Sequence, residues 1–273
     1  MWSSEVTNMI IAGIGETLYM TLVSTIAGYI IGLPMGIVLT VTDKDGIRPN
    51  ALVYKILDVI VNIVRSIPFI ILLVLLIPFT RFLVGKSYGS TATIVPLVVA
   101  AAPYIARMVE SSLKEVDAGV IEAARSMGAS DFRIITKVLL VEARTSLLVG
   151  ATISLGTILG YSAMSGAVGG GGLGAIAIRY GYTRWQTDIM IVTVVLLVVL
   201  FQIFQTIGMM LANKFDPVSY THLTNHDVCR CPWYDRKRSK TSGSSGCHEK
   251  IQWCVFRSDR RSRSTAGKMY QEM

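Results

Sequence analysis

The residues of this chain best suited to chemistry fall in two places. The first is Glu122-Ala123-Ala124-Arg125-Ser126-Met127-Gly128, in the middle of the longest hydrophilic interval of an otherwise apolar sequence. One carboxylate and one guanidinium among small side chains suit close docking of a surface better than bond making. Asp117 can cap a helix start by accepting backbone N–H bonds. Val120, Ile121 and Ala124 then share one helical face, with Glu122 and Arg125 off it. Gly128 can take the left-handed conformation that ends a helix, and Ser130 or Asp131 can cap the next one. The expectation is a short helix, a sharp corner and a second helix.

The second place is the C-terminal part. All four Cys and all three His of the chain follow residue 215. Residues 1–215 therefore offer no His or Cys metal site, no thiol nucleophile and no His-based triad. Within the tail, Cys229-x-Cys231 and Cys247-His248 fit no common zinc spacing. Gly169-x-Gly171-x-x-Gly174 formally matches a dinucleotide fingerprint, but that signal needs a preceding strand and a following helix in a βαβ unit. No Gly-x4-Gly-Lys-Ser/Thr stretch is present, so this chain does not bind and split ATP by a P-loop. The expected reading is a protein that is not an enzyme and has no metal and no cofactor.

The elements that must position these residues are membrane helices. Of 273 residues, 52% are hydrophobic and only 16% charged, too oily for a soluble domain of this length. Met1 to Asn8 carry no Lys or Arg, unlike the positive start of a signal peptide. Five stretches reach the roughly 20 apolar residues that a span needs: about 17–41, 59–80, 87–106, 145–165 and 189–212. The fold class expected is an all-α membrane protein of five transmembrane helices, with the permease domain at 13–212. Alternate loops hold nine Lys and Arg against four, which puts the N-terminus outside and the C-terminus inside. The Glu122 loop, between spans 3 and 4, then faces the cytoplasm.

Pro34, Pro68, Pro78 and Pro96 lie inside these spans, where each removes a backbone bond and bends the axis. Arg65 falls about two turns inside the second span. It either faces a wet cavity or snorkels to the interface. Ser66 and Pro68 follow it. Tyr161 and Met164 bring an amphipathic ring and a soft thioether to the fourth span, to line a path or simply to pack. The glycine-rich stretch 165–174 reads as a flexible turn dropping from that span.

A family resemblance rests on these same residues. Glu122-Ala123-Ala124 with Gly128 and Val138-x-Leu140 resembles the EAA loop of ABC-importer permeases. The family pattern usually ends in Pro where this chain has Val141. The segment Asn62 to Ile70 and the run Gly160 to Gly174 are similar to those of methionine-importer permeases of bacteria, and the likeness covers nearly all of residues 10–212. The resemblance implies that Glu122, Ala123, Ala124, Met127 and Gly128 form a coupling helix that docks on a cytoplasmic ABC ATPase. It implies a homodimer on two ATPase copies, fed by an extracytoplasmic methionine-binding lipoprotein. Arg65, Ser66, Pro68, Tyr161 and Met164 are the candidate pathway residues. Methionine, including its D-enantiomer, is the implied substrate, carried across the bacterial inner membrane amid its lipid. Another amino acid or a small sulfur compound is the alternative. A secondary transporter driven by an ion gradient would need paired ionisable groups near mid-membrane, and a scaffold would recruit a partner without transport.

After Asn213-Lys214-Phe215 the texture changes. Residues 216–273 show no helical or strand period, and Val218-Ser219-Tyr220-Thr221-His222-Leu223 is what one frame of a transposase sequencing adapter encodes. The expectation is a non-native or disordered basic tail that binds no nucleic acid. Deleting residues 217–273 should leave expression and uptake unchanged; loss of uptake at equal expression would show the tail to be functional.

Overall fold

The computed structural model describes residues 4–215, and every regular element among them is helical. In chain order these are α1 (Ser4–Thr42), α2 (Ala51–Ser66), α3 (Phe69–Leu75), α4 (Ile77–Val84), α5 (Ser90–Lys114) and α6 (Ala118–Ser126). They continue as α7 (Asp131–Arg133), α8 (Leu140–Glu142), α9 (Arg144–Ser165), α10 (Gly172–Ile176) and α11 (Thr187–Lys214). A π-helical turn, Ile134–Leu139, joins α7 to α8, and another, Ala177–Tyr182, follows α10. The expectations for 216–273 lie outside the described residues.

The helix α1 is apolar on all sides, so periodicity of hydrophobicity does not choose its buried face. Size does. Thr17, Thr21, Ser24, Gly28, Gly32 and Gly36 are buried, while Ile11, Ile26 and Ile30 are exposed. In lipid, apolar side chains gain little by leaving an equally apolar solvent, so small residues that admit close backbone approach define the interface. The partner is α5. A Cβ at Gly32 would lie 2.7 Å from the Ala102 carbonyl oxygen, and one at Gly36 2.7 Å from that of Ala106. Leu97, Ala101, Ile105 and Val109 of α5 are fully buried, and Ile158 of α9 joins the same core.

Four helical segments are long and apolar enough to cross a membrane. The second expected span, 59–80, is not a single helix. Its residues fall in α2, α3 and α4, and α2 meets α3 at 101°. The α2–α3 pair makes a fifth crossing only if both limbs are taken as one. Pro68 does not bend a helix from within but starts α3, and Ile67 before it is extended at ψ 124°, as pre-proline sterics favour. Pro78 likewise sits in the first turn of α4, where a missing N–H costs nothing. Pro34 and Pro96 do lie inside their helices. Residues 4–16, ahead of the first expected span, are also helical, as part of α1.

The glycine-rich stretch is a packed junction and not a flexible turn. The Gly89 N–H donates to the Gly169 carbonyl at 3.0 Å, and the Thr93 hydroxyl to that of Gly170 at 3.3 Å. From α1, the Glu16 carboxylate accepts the Gly172 N–H at 2.7 Å, and the Thr17 hydroxyl accepts the Leu173 N–H at 2.9 Å. These two side chains satisfy donors that a helix start leaves unpaired. A side chain at Gly174 would collide with the Ala163 carbonyl.

A charged network pins the other end of α1 to α2 and α5. Glu110, only 2% exposed, takes Arg107 at 2.6 Å, Lys114 at 2.8 Å and the Tyr54 hydroxyl at 3.3 Å. Arg107 also reaches Asp58 at 2.5 Å and Asn62 at 2.9 Å, and Lys114 reaches Asp43 at 2.6 Å. The hydrogen bond from Lys114 holds the Asp43 carboxyl below its ordinary pKa. The stabilisation from that pair is therefore complete above the usual carboxylate range and is lost as pH falls through the lowered value.

Two outcomes follow for stability. Gly36→Leu should cost about 1–3 kcal/mol or more by overpacking against α5. Gly15→Leu, where nothing lies within 4 Å, should stay within about 0.5 kcal/mol of the parent; thermal unfolding in detergent compares them. In the network, Arg107→Ala leaves Asp58 without a cation and Glu110 with Lys114 alone, and should cost about 1–3 kcal/mol. Glu110→Ala leaves each cation one carboxylate and should cost less, and the reverse order would refute this account of the network.

Candidate functional site

The expected elbow is present and is built by local rules. Asp117 accepts the Gly119 N–H at 2.8 Å and starts α6. Ser126 donates back to the Glu122 carbonyl at 3.0 Å. The chain then closes the helix on Gly128, at φ +79°. The Gly128 N–H bonds the Arg125 carbonyl at 2.9 Å, and the Ala129 N–H bonds that of Ala124 at 3.2 Å. A residue with a Cβ would be strained in that left-handed conformation. Ser130 precedes α7 but makes no side-chain capping bond.

The inward face of α6 is narrower than expected. Ala124 is buried with Ile47 and Ile134, and Ile121 packs at the edge of this cluster. Val120 instead stays 39% exposed. Arg125 turns back to donate to the Ile47 carbonyl and so ties α6 to the α1–α2 loop. Exposed on the other side are Glu122, Ala123, Ser126 and Met127, with Val120 and Phe132 beside them. Met127 and Phe132 are 60% and 76% exposed. Phe132 escaped the sequence reading because it lies outside the Glu122–Gly128 stretch. The elbow thus presents a small, mostly apolar knob with one carboxylate. A cleft of about 370 Å³ opens beside it, with Asp43, Asp45, Lys114, Glu122 and Arg125 among its lining residues. Among the described residues no group of His, Cys, Asp or Glu could hold a metal.

The bend that Val141 cannot supply as a proline would is made otherwise. The π-helical turn Ile134–Leu139 adds a residue to one turn, and Ala143 at ψ 0° separates α8 from α9. Such bulges redirect a helix without proline.

The candidate pathway residues are not brought together as one cluster: Arg65, Ser66 and Pro68 form the α2–α3 corner, and Tyr161 reaches it through Phe69. Phe69, next to Pro68, stacks on Tyr161 with ring centroids 4.6 Å apart and planes 7° from parallel. Arg65 is exposed and lies 5.8 Å from the Tyr104 ring of α5, an approach that favours a cation over the ring face. Ser66 bonds only its own helix, at the Asn62 carbonyl. Met164 stands on α9 one turn after Tyr161 and is 50% exposed. The Phe69–Tyr161 stack was not legible in the sequence, because it depends on how sharply the chain turns at Pro68.

Comparison with known proteins gives this architecture a family. A permease from Vibrio cholerae, described as a probable D-methionine transport system permease protein MetI, is 46% identical over 215 residues, or 79% of this chain and 96% of its own length. The D-methionine transport system permease protein MetI of Escherichia coli K12 is 56% identical over 158 residues, covering 58% of this chain and 73% of that protein. Among solved structures, a chain of the inward-facing MetNI methionine ABC transporter matches with a TM-score of 0.78 and 50% identity, over 79% of this chain and all of that one. An amino acid ABC transporter with histidines matches at a TM-score of 0.64 and 20% identity, a likeness of fold alone. The family model for binding-protein-dependent transport system inner membrane components matches residues 8–217. With that span and those identities, this all-helical chain belongs to the binding-protein-dependent transport system inner membrane components, multi-pass permease subunits of ABC transporters that leave ATP hydrolysis to a separate subunit.

Proposed function

We propose that this chain is the permease of an ATP-driven importer for methionine, in its L- and D-forms. The observation that carries the coupling half of this proposal is the two-sidedness of α6. Its inner face is fastened through Ala124 to Ile47 and Ile134, and its outer side, with Glu122, Ala123, Ser126 and Met127, is covered by nothing in the described residues. A chain without a P-loop must draw its drive from another polypeptide, and this knob is shaped to receive it. The substrate half rests on relatives named for D-methionine transport and on the MetNI methionine transporter.

The orientation has support from geometry as well as from charge. The elbow packs against Ile47, just past the end of α1, and the glycine junction packs against Thr17. Helix between Thr17 and Thr42 spans about 38 Å, more than the roughly 30 Å apolar core of a bilayer. That length supports a reading in which the two assemblies lie on opposite sides, with the Lys and Arg bias favouring the cytoplasm for the elbow.

Assembly follows. Four or five crossings are few to enclose a path, and two copies around a two-fold axis would supply twice as many. Each copy would set one α6 on one of two cytoplasmic ATPase subunits, and an extracytoplasmic methionine-binding lipoprotein would deliver the amino acid. ATP binding draws the ATPases together, the elbows follow, and the helices rock from inward-open to outward-open. The Arg65, Ser66, Pro68, Tyr161 and Met164 region, at the corner most able to change angle, is the proposed conduit. Residues 13–212 form the proposed permease domain.

In membrane vesicles holding the permease with its ATPase, methionine uptake should require ATP. Glu122→Lys reverses the charge of the one carboxylate on the knob, and Gly128→Val strains its closing turn by about 1–2 kcal/mol. Both should insert normally yet fall at least about tenfold in ATPase co-purification and uptake, on the scale of a lost interface hot spot. Full uptake in both variants would remove α6 from the coupling path.

A further inference from the structure

The turn between α10 and α11 has features that neither packing nor the transport path uses. Trp185 is 86% exposed and is the one non-glycine residue at positive φ, +57°, among the described residues. A bulky residue there is held in a conformation it disfavours. The hold is visible. The Gln186 N–H bonds the Tyr180 carbonyl at 3.2 Å, the Thr187 N–H that of Trp185 at 3.2 Å, and the Thr183 N–H that of Ile178 at 2.9 Å. Beside Trp185, the Arg184 guanidinium lies 4.8 Å and the Arg179 guanidinium 6.0 Å from the Tyr180 ring. Tyr182, 72% exposed, completes the surface.

Rigid aromatic and arginine side chains on a fixed turn are what protein–protein hot spots are made of. The placement of the two arginines adds charge to this. On the proposed orientation the turn is extracytoplasmic, the side on which Lys and Arg are scarce. Two arginines kept there, with no acidic partner within salt-bridge distance among the described residues, call for a complementary negative surface. We propose that Trp185, with Arg184, Arg179 and Tyr182, is a docking knob for an acidic patch on the soluble binding protein that loads this permease. The inference rests on the importer function and orientation argued above. Trp185 would seat in an apolar recess of the partner, and the arginines would steer the approach and fix its register.

The test uses the assembled permease–ATPase complex in nanodiscs and the purified soluble domain of the methionine-binding lipoprotein as probe. Trp185→Ala should weaken binding about tenfold or more. Arg184→Glu should weaken it and flatten its salt dependence, and ATPase co-purification and basal ATP hydrolysis should be unchanged in both. Trp185→Gly removes the strained Cβ, so it should lose binding while holding or raising the melting temperature, which a merely structural tryptophan would not do. Parent-like binding in Trp185→Ala and Arg184→Glu would overturn the proposal and give this surface to lipid headgroups or to a second copy of the chain. A parent complex that does not bind the probe at all would overturn it too, by removing the importer reading beneath it. The two failures differ in whether the parent binds.

Discussion

The close approach of α1 to α5 is the contact on which the rest depends. Gly28, Gly32 and Gly36 bring one backbone against the other, and dispersion over that length stands in for the hydrophobic drive that lipid withholds. Because α1 is continuous for 39 residues, fixing it on α5 fixes both of its ends. At one end Glu16 and Thr17 hold the glycine junction, and at the other Asp43 joins Lys114. The pair of helices is a rod with fittings at both tips.

The fittings differ in chemistry for a reason. Toward Thr42 they are ionic, with three carboxylates and two cations sharing Glu110 as a hub. Only Glu110 is desolvated, and its two cations are what keep that buried carboxylate paired. On the proposed coupling, the network would brace the part of the molecule on which α6 pushes. Toward Thr17 the fittings are backbone N–H groups on a carboxylate and a hydroxyl, which hold a glycine-rich junction where side chains would not fit. Between the two, the α2–α3 corner is joined to α9 largely by the stacked pair Phe69 and Tyr161. An aromatic stack can slide at little cost compared with breaking an ion pair. The aromatic joint therefore lies beside the proposed conduit, and the ionic one lies toward the elbow.

Much of this was legible in the residues, and what was not has physical causes. Asp117 and Gly128 announced the ends of α6 because capping is a local property. The spans announced themselves through lack of charge, and 145–165 became α9, Arg144–Ser165, nearly residue for residue. The second span misled, because an unbroken apolar run does not say whether Pro68 bends a helix or begins one; tertiary packing of Phe69 on Tyr161 decides. Val120 misled because a nine-residue helix meets its core along less than its whole apolar stripe. The Glu110 network was invisible for a different reason. Arg107, Glu110 and Lys114 share α5, but Asp43 follows α1 and Asp58 lies on α2, and only the packing of those elements on α5 brings the carboxylates to the cations. The glycines of 165–174 read as looseness, where the folded chain uses them for density.

Rod and joint together suggest why the two external partners need not touch each other to be coupled. On the proposed orientation, the binding protein would press on the turn that follows the glycine junction, and the ATPase on α6. Both assemblies bear on α1, one through Thr17 and one through Ile47. A ligand shifts an equilibrium only through its different affinity for the two states. Here each partner would sense the inward- or outward-open state through the tilt of the same rod. Reciprocity then follows without any further device: whatever ATP binding does to the affinity for the loaded receptor, the receptor must do to the closure of the ATPases. A rigid α1 is the condition for this, and the small residues Gly28, Gly32 and Gly36 that seat it closely on α5 are what would keep it so.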